Sequence, residues 1–203
     1  MTIDELKKHV SIKEIKGDCV RVKANEGYML KLGDSYTDEL YCERSTIPDN
    51  LIVVPYSTYL TESNKEKYKG MTVEEAKEKL IAEITAYDTS SAVNGFMLNG
   101  MLIPWSKDDP NSPNVDKRMG LRQNIADKIA LGEENISIWL KGMSFTMPCA
   151  QAEVLMRSIE NYAYECFNVT ASHKVAVSEL TTIEEVEAYD YKAGYPKMLE
   201  MSV

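Results

Sequence analysis

The sequence predicts an α+β protein, in which a small β-rich N-terminal module precedes a helical domain with two β-hairpins and one long helix. Three observations support this fold class. Short alternating runs separated by turn-forming residues fill residues 1–60. Two hairpin patterns with central glycines follow, and a stripe of apolar residues at helical spacing starts at Ala152. A chain of 203 residues is long enough for one main core and a smaller appendage.

Composition and charge narrow the classes of function. The chain is 44% hydrophobic and 27% charged, which is ordinary for a folded protein. Its 23 Lys+Arg against 32 Asp+Glu give a net charge of −9, so phosphate is repelled and we expect no nucleic-acid partner. The first residues lack the apolar stretch of a signal peptide, and no run approaches the roughly 20 apolar residues of a membrane span. We therefore expect a soluble protein, made in a cytoplasm and without membrane insertion.

Residues 1–62 are predicted to form a β-rich docking module. Turn residues such as Asn25-Glu26-Gly27 and Gly33-Asp34-Ser35 separate runs that are typical of short strands. The strands are expected at 15–23, 28–32, 39–42 and 51–56.

Residues 63–88 are predicted to be a linker and a connecting helix. The polar stretch 61–70 is typical of a linker, and Thr72 with Glu75 matches a capping box that opens a helix over 73–86. The apolar stripe of this helix consists of Ala76, Leu80 and Ile84.

Residues 89–203 are predicted to form the second domain. Asn99-Gly100 between apolar runs indicates a hairpin, and Lys141-Gly142-Met143 indicates another. Between them, Ser112-Pro113 is typical of a helix start and Gly132 of a helix end. Pro148 is expected to start the longest helix.

The long helix carries apolar residues at steps of three and four. Two interpretations stay open: the stripe packs inside the chain against the helix over 113–131, or part of it is a subunit interface. A second row of Met156, Ala163 and Phe167 is expected to widen the same apolar face. The stripe itself comprises Leu155, Ile159, Tyr162, Cys166, Val169, His173, Ala176 and Leu180.

The tyrosine-rich segment 189–196 also fits either a contact surface or simple packing onto the core. The candidate interface residues are Leu155, Ile159, Tyr162, Val169, Tyr189, Tyr191 and Tyr195.

The motifs for catalysis are incomplete. Cys166 and His173 lie seven residues apart, about 10.5 Å along a helix, whereas a thiol–imidazole dyad needs about 3 Å. Gly33-Asp34-Ser35 is similar to the block of serine esterases, but neither histidine has the Asp-x-x-His pattern that such enzymes use. We predict no catalytic residues.

Metal and cofactor sites are not predicted either. Asp108, Asp109 and Asp116 could offer oxygen ligands to a hard cation, but they lack calcium-loop spacing. Phosphate-binding glycine loops are absent from the sequence. The four cysteines show no C-x-x-C spacing and are expected to be structural thiols: Cys19, Cys42, Cys149 and Cys166.

Residues 84–203 carry a distinctive order of motifs. These are Ile84-Thr85-Ala86-Tyr87-Asp88, Ser91-Ala92-Val93-Asn94-Gly95-Phe96, Asn99-Gly100, Trp105, Asp116-Lys117-Arg118, Trp139-Leu140-Lys141-Gly142-Met143-Ser144-Phe145, Glu160-Asn161-Tyr162-Ala163, Glu165-Cys166-Phe167-Asn168-Val169-Thr170, His173-Lys174, Glu184-Glu185-Val186-Glu187-Ala188-Tyr189-Asp190-Tyr191 and Gly194-Tyr195-Pro196. This order resembles the uncharacterised domain of tail-associated proteins from tailed bacteriophages and prophages. The stretch Glu26–Leu30 is similar to a small β module that often precedes this domain, although 33–49 departs from its usual form.

The resemblance implies a structural virion protein of a phage tail, baseplate or tail-fibre attachment region. Such a protein would be made in the host bacterial cytoplasm, would reside in the virion tail, and would act by assembling with other tail proteins and with copies of itself. The family has no established catalytic residues. Two alternatives stay open: a tail-fibre assembly chaperone that is absent from the mature particle, and a hydrolase that acts on the host surface.

Overall fold

The computed structural model describes residues 8–43, 45, 47–48, 50–106 and 115–203, without the side chains of 115 and 116. The chain divides into two compact units. One contains the described residues up to 76 together with 181–190, and the other contains 77–180 together with 191–203. A β-rich N-terminal region is followed by a helical part with β-hairpins and a long helix, as the sequence predicts.

The strands of the first unit are β1 (Val10–Lys16), β2 (Cys19–Ala24), β3 (Tyr28–Leu32), β4 (Ser35–Thr37), β5 (Glu39–Glu43) and β6 (Leu51–Pro55). They form two three-stranded antiparallel sheets, with strand orders β1-β2-β5 and β4-β3-β6. Val20, Val22 and Leu30 are fully buried at the centre of the apolar cluster of this unit. The strand expected over 15–23 is instead two strands, because Gly17 adopts a left-handed φ of 60° and reverses the chain there.

The linker expected over 61–70 is partly helical. Helix α1 (Tyr56–Lys65) covers its first half, and Tyr68 beyond it is buried. The short helix α5 (Ile183–Ala188) packs against α1, where the Asn64 side chain donates a hydrogen bond of 2.8 Å to the Glu187 carbonyl. We expected 181–190 to belong to the second domain, whereas the structure places this segment in the first unit.

Helix α2 (Val73–Thr89) begins at the predicted capping box. The Thr72 backbone N–H donates to the Glu75 carboxylate at 2.8 Å, and the Glu75 N–H donates to the Thr72 hydroxyl at 3.3 Å. The predicted stripe of Ala76, Leu80 and Ile84 is buried.

Both predicted hairpins are present in the second unit. Strands β7 (Gly95–Leu98) and β8 (Met101–Pro104) are joined by Asn99-Gly100, with φ values of 50° and 76°. Strands β9 (Asn135–Leu140) and β10 (Met143–Pro148) are joined by Lys141-Gly142, with φ values of 49° and 76°. Two positive φ values in a two-residue loop are typical of type I′ turns. Strand β11 (Glu200–Met201) pairs with β7 in parallel.

Helix α3 (Val115–Ala130) is followed by Gly132, which terminates it as predicted and has a φ of 74°. The Glu133 N–H donates to the Lys128 carbonyl and the Gly132 N–H to the Ile129 carbonyl, which is the Schellman arrangement. The predicted helix start at Ser112-Pro113 lies outside the described residues.

Helix α4 (Cys149–Glu179) is the predicted long helix, with 31 residues. Its inner face lies against α3 and the β9–β10 hairpin and contributes to the main core of the second unit. The core includes Phe96, Leu98, Ile103, Trp105, Ile125, Ile138, Leu140, Leu155, Met156 and Ile159.

Candidate interaction surface

Helix α4 carries a second set of apolar side chains on the side away from the core. Tyr164 is 67% exposed and Phe167 is 59% exposed, and both lie well away from the buried Leu155 and Ile159 around the helix. The spacing of three, four and four residues places the exposed Tyr164, Phe167, Ala171 and Val175 on one face of the helix. We call these four residues the outer face of α4.

The two aromatic rings of the outer face are stacked against each other. Their centroids lie 6.5 Å apart with an interplanar angle of 23°, as expected for residues i and i+3 of a helix. Because each ring restricts the other, a partner would immobilise little additional side-chain freedom on binding them.

A groove of about 350 Å³ borders this aromatic pair. Its floor includes Trp105, which is buried and meets Phe96 edge-on at 5.6 Å between centroids. Arg118 of α3 lies across the groove with its guanidinium carbon 4.7 Å from the centroid of the Trp105 indole ring. The groove is lined by Asn94, Trp105, Arg118, Met156, Glu160, Ala163, Tyr164 and Phe167.

Arg118 is held in place by the Trp105 residue on which it stacks. Its guanidinium donates a hydrogen bond to the Trp105 carbonyl, and burial lowers the pKa of Arg118 from its ordinary value. An arginine keeps its charge in a protein, so the groove presents a fixed cation beside three aromatic rings.

Ion pairs frame the same region of α4. Arg122 lies 3.1 Å from the Glu160 carboxylate, and Arg157 lies 2.7 Å from the Glu153 carboxylate. The Arg157 pair is exposed, so it contributes little to folding. Aromatic residues and arginine surrounded by a polar rim are the composition of a protein-binding surface.

The structure places three of the predicted interface residues inside the chain, so that prediction is wrong for them. Leu155 and Ile159 are 1% and 2% exposed in the main core, and Tyr162 is buried against Val93 and Cys166. The stripe that contains these residues packs inside the chain, because it is more continuously apolar than the other faces of the helix and its burial in the core is therefore the most favourable.

Most of the remaining predicted interface residues are involved in packing of the C-terminal segment onto the second unit. Rings of Tyr191 and Tyr195 meet Tyr87 edge-on at 5.7 and 5.4 Å, and the Tyr195 hydroxyl lies 2.7 Å from the Thr170 hydroxyl. Val169 and Tyr191 are half-buried in this unit. Of the two interpretations of the tyrosine segment, packing onto the chain itself accounts for Tyr191 and Tyr195.

Tyr189 belongs to the first unit, directly after α5. Its N–H donates to the Val186 carbonyl, and its half-buried side chain has a pKa raised by burial.

The outer face of α4 was not among the surfaces expected from the sequence. Phe167 was expected to widen the core stripe, together with Met156 and Ala163, but it points to solvent. The signal was available as the spacing of Tyr164, Phe167, Ala171 and Val175, which forms a second helical stripe beside the longer one.

The residues considered for catalysis each contact different neighbours. The Cys166 thiol donates to the Val93 carbonyl at 3.9 Å, and burial raises the pKa of this thiol. His173 Nε2 lies 2.9 Å from the Ala193 carbonyl oxygen, which can only accept, so this nitrogen carries the proton. Ser35 is exposed on β4, and the His9 ring lies 4.3 Å from the Tyr28 ring.

In the described part of the chain, no three His, Cys, Asp or Glu side chains form a group that could hold a metal ion. The side chains of Asp108, Asp109 and Asp116 lie outside the described residues. No helix in the described ranges combines the length and hydropathy that a membrane span requires.

Comparison of the chain with protein-family models, with curated proteins and with solved structures finds no significant match.

Proposed function

We propose that the protein is a structural component of a bacteriophage tail, baseplate or fibre attachment region and acts by binding other virion proteins. The observation that carries the binding role is the outer face of α4, where stacked aromatic rings border a groove with a fixed arginine. The proposal that the partners are phage tail proteins is supported by the order of motifs over 84–203.

A binding role accounts for an otherwise unfavourable surface. Two adjacent aromatic side chains that are more than half exposed would gain free energy by leaving water. The neighbouring groove offers a cavity into which a partner side chain can insert, which is the arrangement found at the centres of protein interfaces.

Mass spectrometry of particles purified from a lysate of the encoding phage tests the virion assignment. We expect the chain in stoichiometric amounts relative to the other tail proteins. A chain that is abundant in the lysate and missing from the particles would contradict the proposal and would identify an assembly chaperone instead.

Cross-linking within the purified particles tests the expected partners. We expect cross-links from lysines of this chain both to other tail proteins and to further copies of itself. Particles in which the chain cross-links to no other protein would contradict a role in assembly.

A further inference from the structure

The β9–β10 hairpin has a regular pattern of inward and outward backbone groups. Its type I′ turn makes Leu140 and Met143 a hydrogen-bonded pair, and the pairs then alternate along the strands. The bond from the Cys149 N–H to the Glu134 carbonyl fits this alternation. The backbone N–H and C=O groups of Ser137 and Trp139 therefore point away from β10.

This outer edge of β9 is open. Within the ranges that the structure describes, the hairpin is a two-stranded sheet, and no backbone hydrogen bond joins Ser137 or Trp139 to another element. The outer edge of β10 is different, because it contains Pro148, which has no N–H to offer. An added strand would find a complete row of donors and acceptors only on β9.

A groove of about 560 Å³ runs between this edge and helix α3. Two lysines, Lys117 and Lys128, stand on its helical wall, and Lys128 is ion-paired with Glu133 beyond the lining. None of the described residues that line the groove carries a carboxylate, although the chain as a whole has a net charge of −9. The groove is lined by Lys117, Gly120, Leu121, Asn124, Lys128, Asn135, Ile136 and Ser137.

Gly120 leaves room for a backbone to lie close to this wall of the groove. It lies in the interior of α3, where glycine is a poor helix former, and a Cβ at this position would meet no described atom within 4 Å. Packing inside the described chain therefore does not require glycine here, whereas a backbone lying close to the helix would.

We propose that the groove beside β9 binds an extended segment of a different protein, which adds to β9 as a third strand and places carboxylate side chains near Lys117 and Lys128. Pairing with a second copy through the same edge is disfavoured, because it would bring the lysines of both copies into one groove. This proposal does not depend on the outer face of α4 or on the phage assignment.

Hydrogen exchange of the isolated full chain tests whether the edge is open. We expect the amides of Ser137 and Trp139 to exchange rapidly while those of Ile138 and Leu140 are protected. Protection of Ser137 and Trp139 in the isolated monomer would mean that this chain covers its own edge, and it would overturn the proposal.

Binding of a short blocked peptide of alternating valine and glutamate tests the occupant. The fluorescence of Trp139, whose side chain is 71% exposed, reports binding. We expect saturable binding by this peptide and weaker binding by its valine–lysine counterpart. Equal or stronger binding of the lysine peptide, or no saturable binding of either, would overturn the proposal.

Proline variants locate the site. Ser137→Pro removes an outward N–H of β9, whereas Thr146→Pro removes an outward N–H of β10, and both lose the 2.8 Å hydroxyl contact between these residues. We expect Ser137→Pro to weaken binding of the glutamate peptide by about tenfold and Thr146→Pro to leave it unchanged. Equal effects of the two prolines would overturn the proposal.

Gly120→Leu replaces a poor helix former with a good one and fills the groove without changing β9. We expect this variant to lose peptide binding while its helical circular dichroism is retained, and full binding would overturn the proposal.

The mass of the full chain in solution, measured at several concentrations, tests whether a second copy is the occupant. If the mass increases with concentration and Ser137→Pro abolishes this increase, a second copy occupies the groove and the proposal is overturned.

Discussion

Thr170 joins three segments of the second unit through one buried hydroxyl group. This hydroxyl donates to the Asp88 carboxylate at 2.8 Å and lies 2.7 Å from the Tyr195 hydroxyl. Because its single proton points to Asp88, the Tyr195 hydroxyl donates to Thr170. The end of α2, the middle of α4 and the C-terminal segment therefore depend on the same side chain.

Replacing Thr170 with valine keeps the shape of the side chain and removes both hydrogen bonds. We expect Thr170→Val to lower the free energy of unfolding by about 1–3 kcal/mol, because two polar partners lose their contact in a buried place. Denaturant unfolding measures the effect. The exposed Thr85→Val on α2 is the control, expected within about 0.5 kcal/mol of the parent protein. Equal effects of both variants would contradict this role of Thr170.

Replacing Gly120 is expected to stabilise the protein, in contrast to the replacement of Thr170. Its position is helical and open, so Gly120→Ala is expected to raise the free energy of unfolding by about 0.5–1 kcal/mol. Gly132→Ala is the contrast, because its φ of 74° suits glycine, and we expect a loss of about 1–2 kcal/mol. Thermal unfolding of both variants checks the prediction, and a destabilised Gly120→Ala would show that the site is not open.

At the scale of elements, the two faces of α4 have different roles. Ile159→Ala opens a cavity in the main core and is expected to lower the free energy of unfolding by about 2–5 kcal/mol. Phe167→Ala removes an exposed ring and is expected to change it by no more than about 0.5 kcal/mol. Denaturant unfolding compares the two variants directly. A large loss for Phe167→Ala would place this ring in the core, as the sequence first indicated.

The capping box of α2 gives a pH dependence. Hydrogen bonds from the Thr72 backbone and side chain lower the pKa of Glu75 in the folded protein. As the pH falls below the ordinary glutamate pKa of about 4.3, the unfolded state binds the proton first, so this contribution to stability is fully present above that pH and is lost as the pH falls further through the folded pKa.

We expect Glu75→Gln to unfold at a lower temperature than the parent near neutral pH and to differ from it less at pH values below the folded pKa of Glu75. Thermal unfolding across the acidic range measures the difference. Glu78→Gln, an exposed α2 residue outside the box, is the matched control. A difference between Glu75→Gln and the parent that does not change with pH would contradict a role for the charged carboxylate.

Elements set by local chemistry could be predicted from the sequence. Asn99-Gly100 and Lys141-Gly142 determine their turns through positive φ, and Thr72 with Glu75 determines a helix start within four residues. Helix α1 could not be predicted in this way, because its polar sequence gains its packing from α5, far along the chain. The prediction for Phe167 was wrong for a related reason. Periodicity identifies an apolar face of a helix but does not indicate which of two such faces packs in the core.

At the scale of the whole molecule, the chain passes between its two units three times. It leaves the first unit within α2, returns for 181–190 and leaves again at 191. A sequence pattern indicates domains as contiguous stretches, so the assignment of α5 to the first unit could not be predicted from it. A cut near residue 180 would remove α5 from the first unit and Tyr195 from the second.

The proposed function requires the protein to assemble with its partners through the outer face of α4. The most direct test is incorporation of the Tyr164→Ala/Phe167→Ala double variant into phage particles, with Val154→Ala as the control, since Val154 is equally exposed but lies on another side of the same helix. Quantitative mass spectrometry of purified particles measures incorporation, and circular dichroism confirms that both variants fold. We predict normal incorporation of Val154→Ala and loss of the double variant; incorporation of the folded double variant at the parent level would contradict the claim.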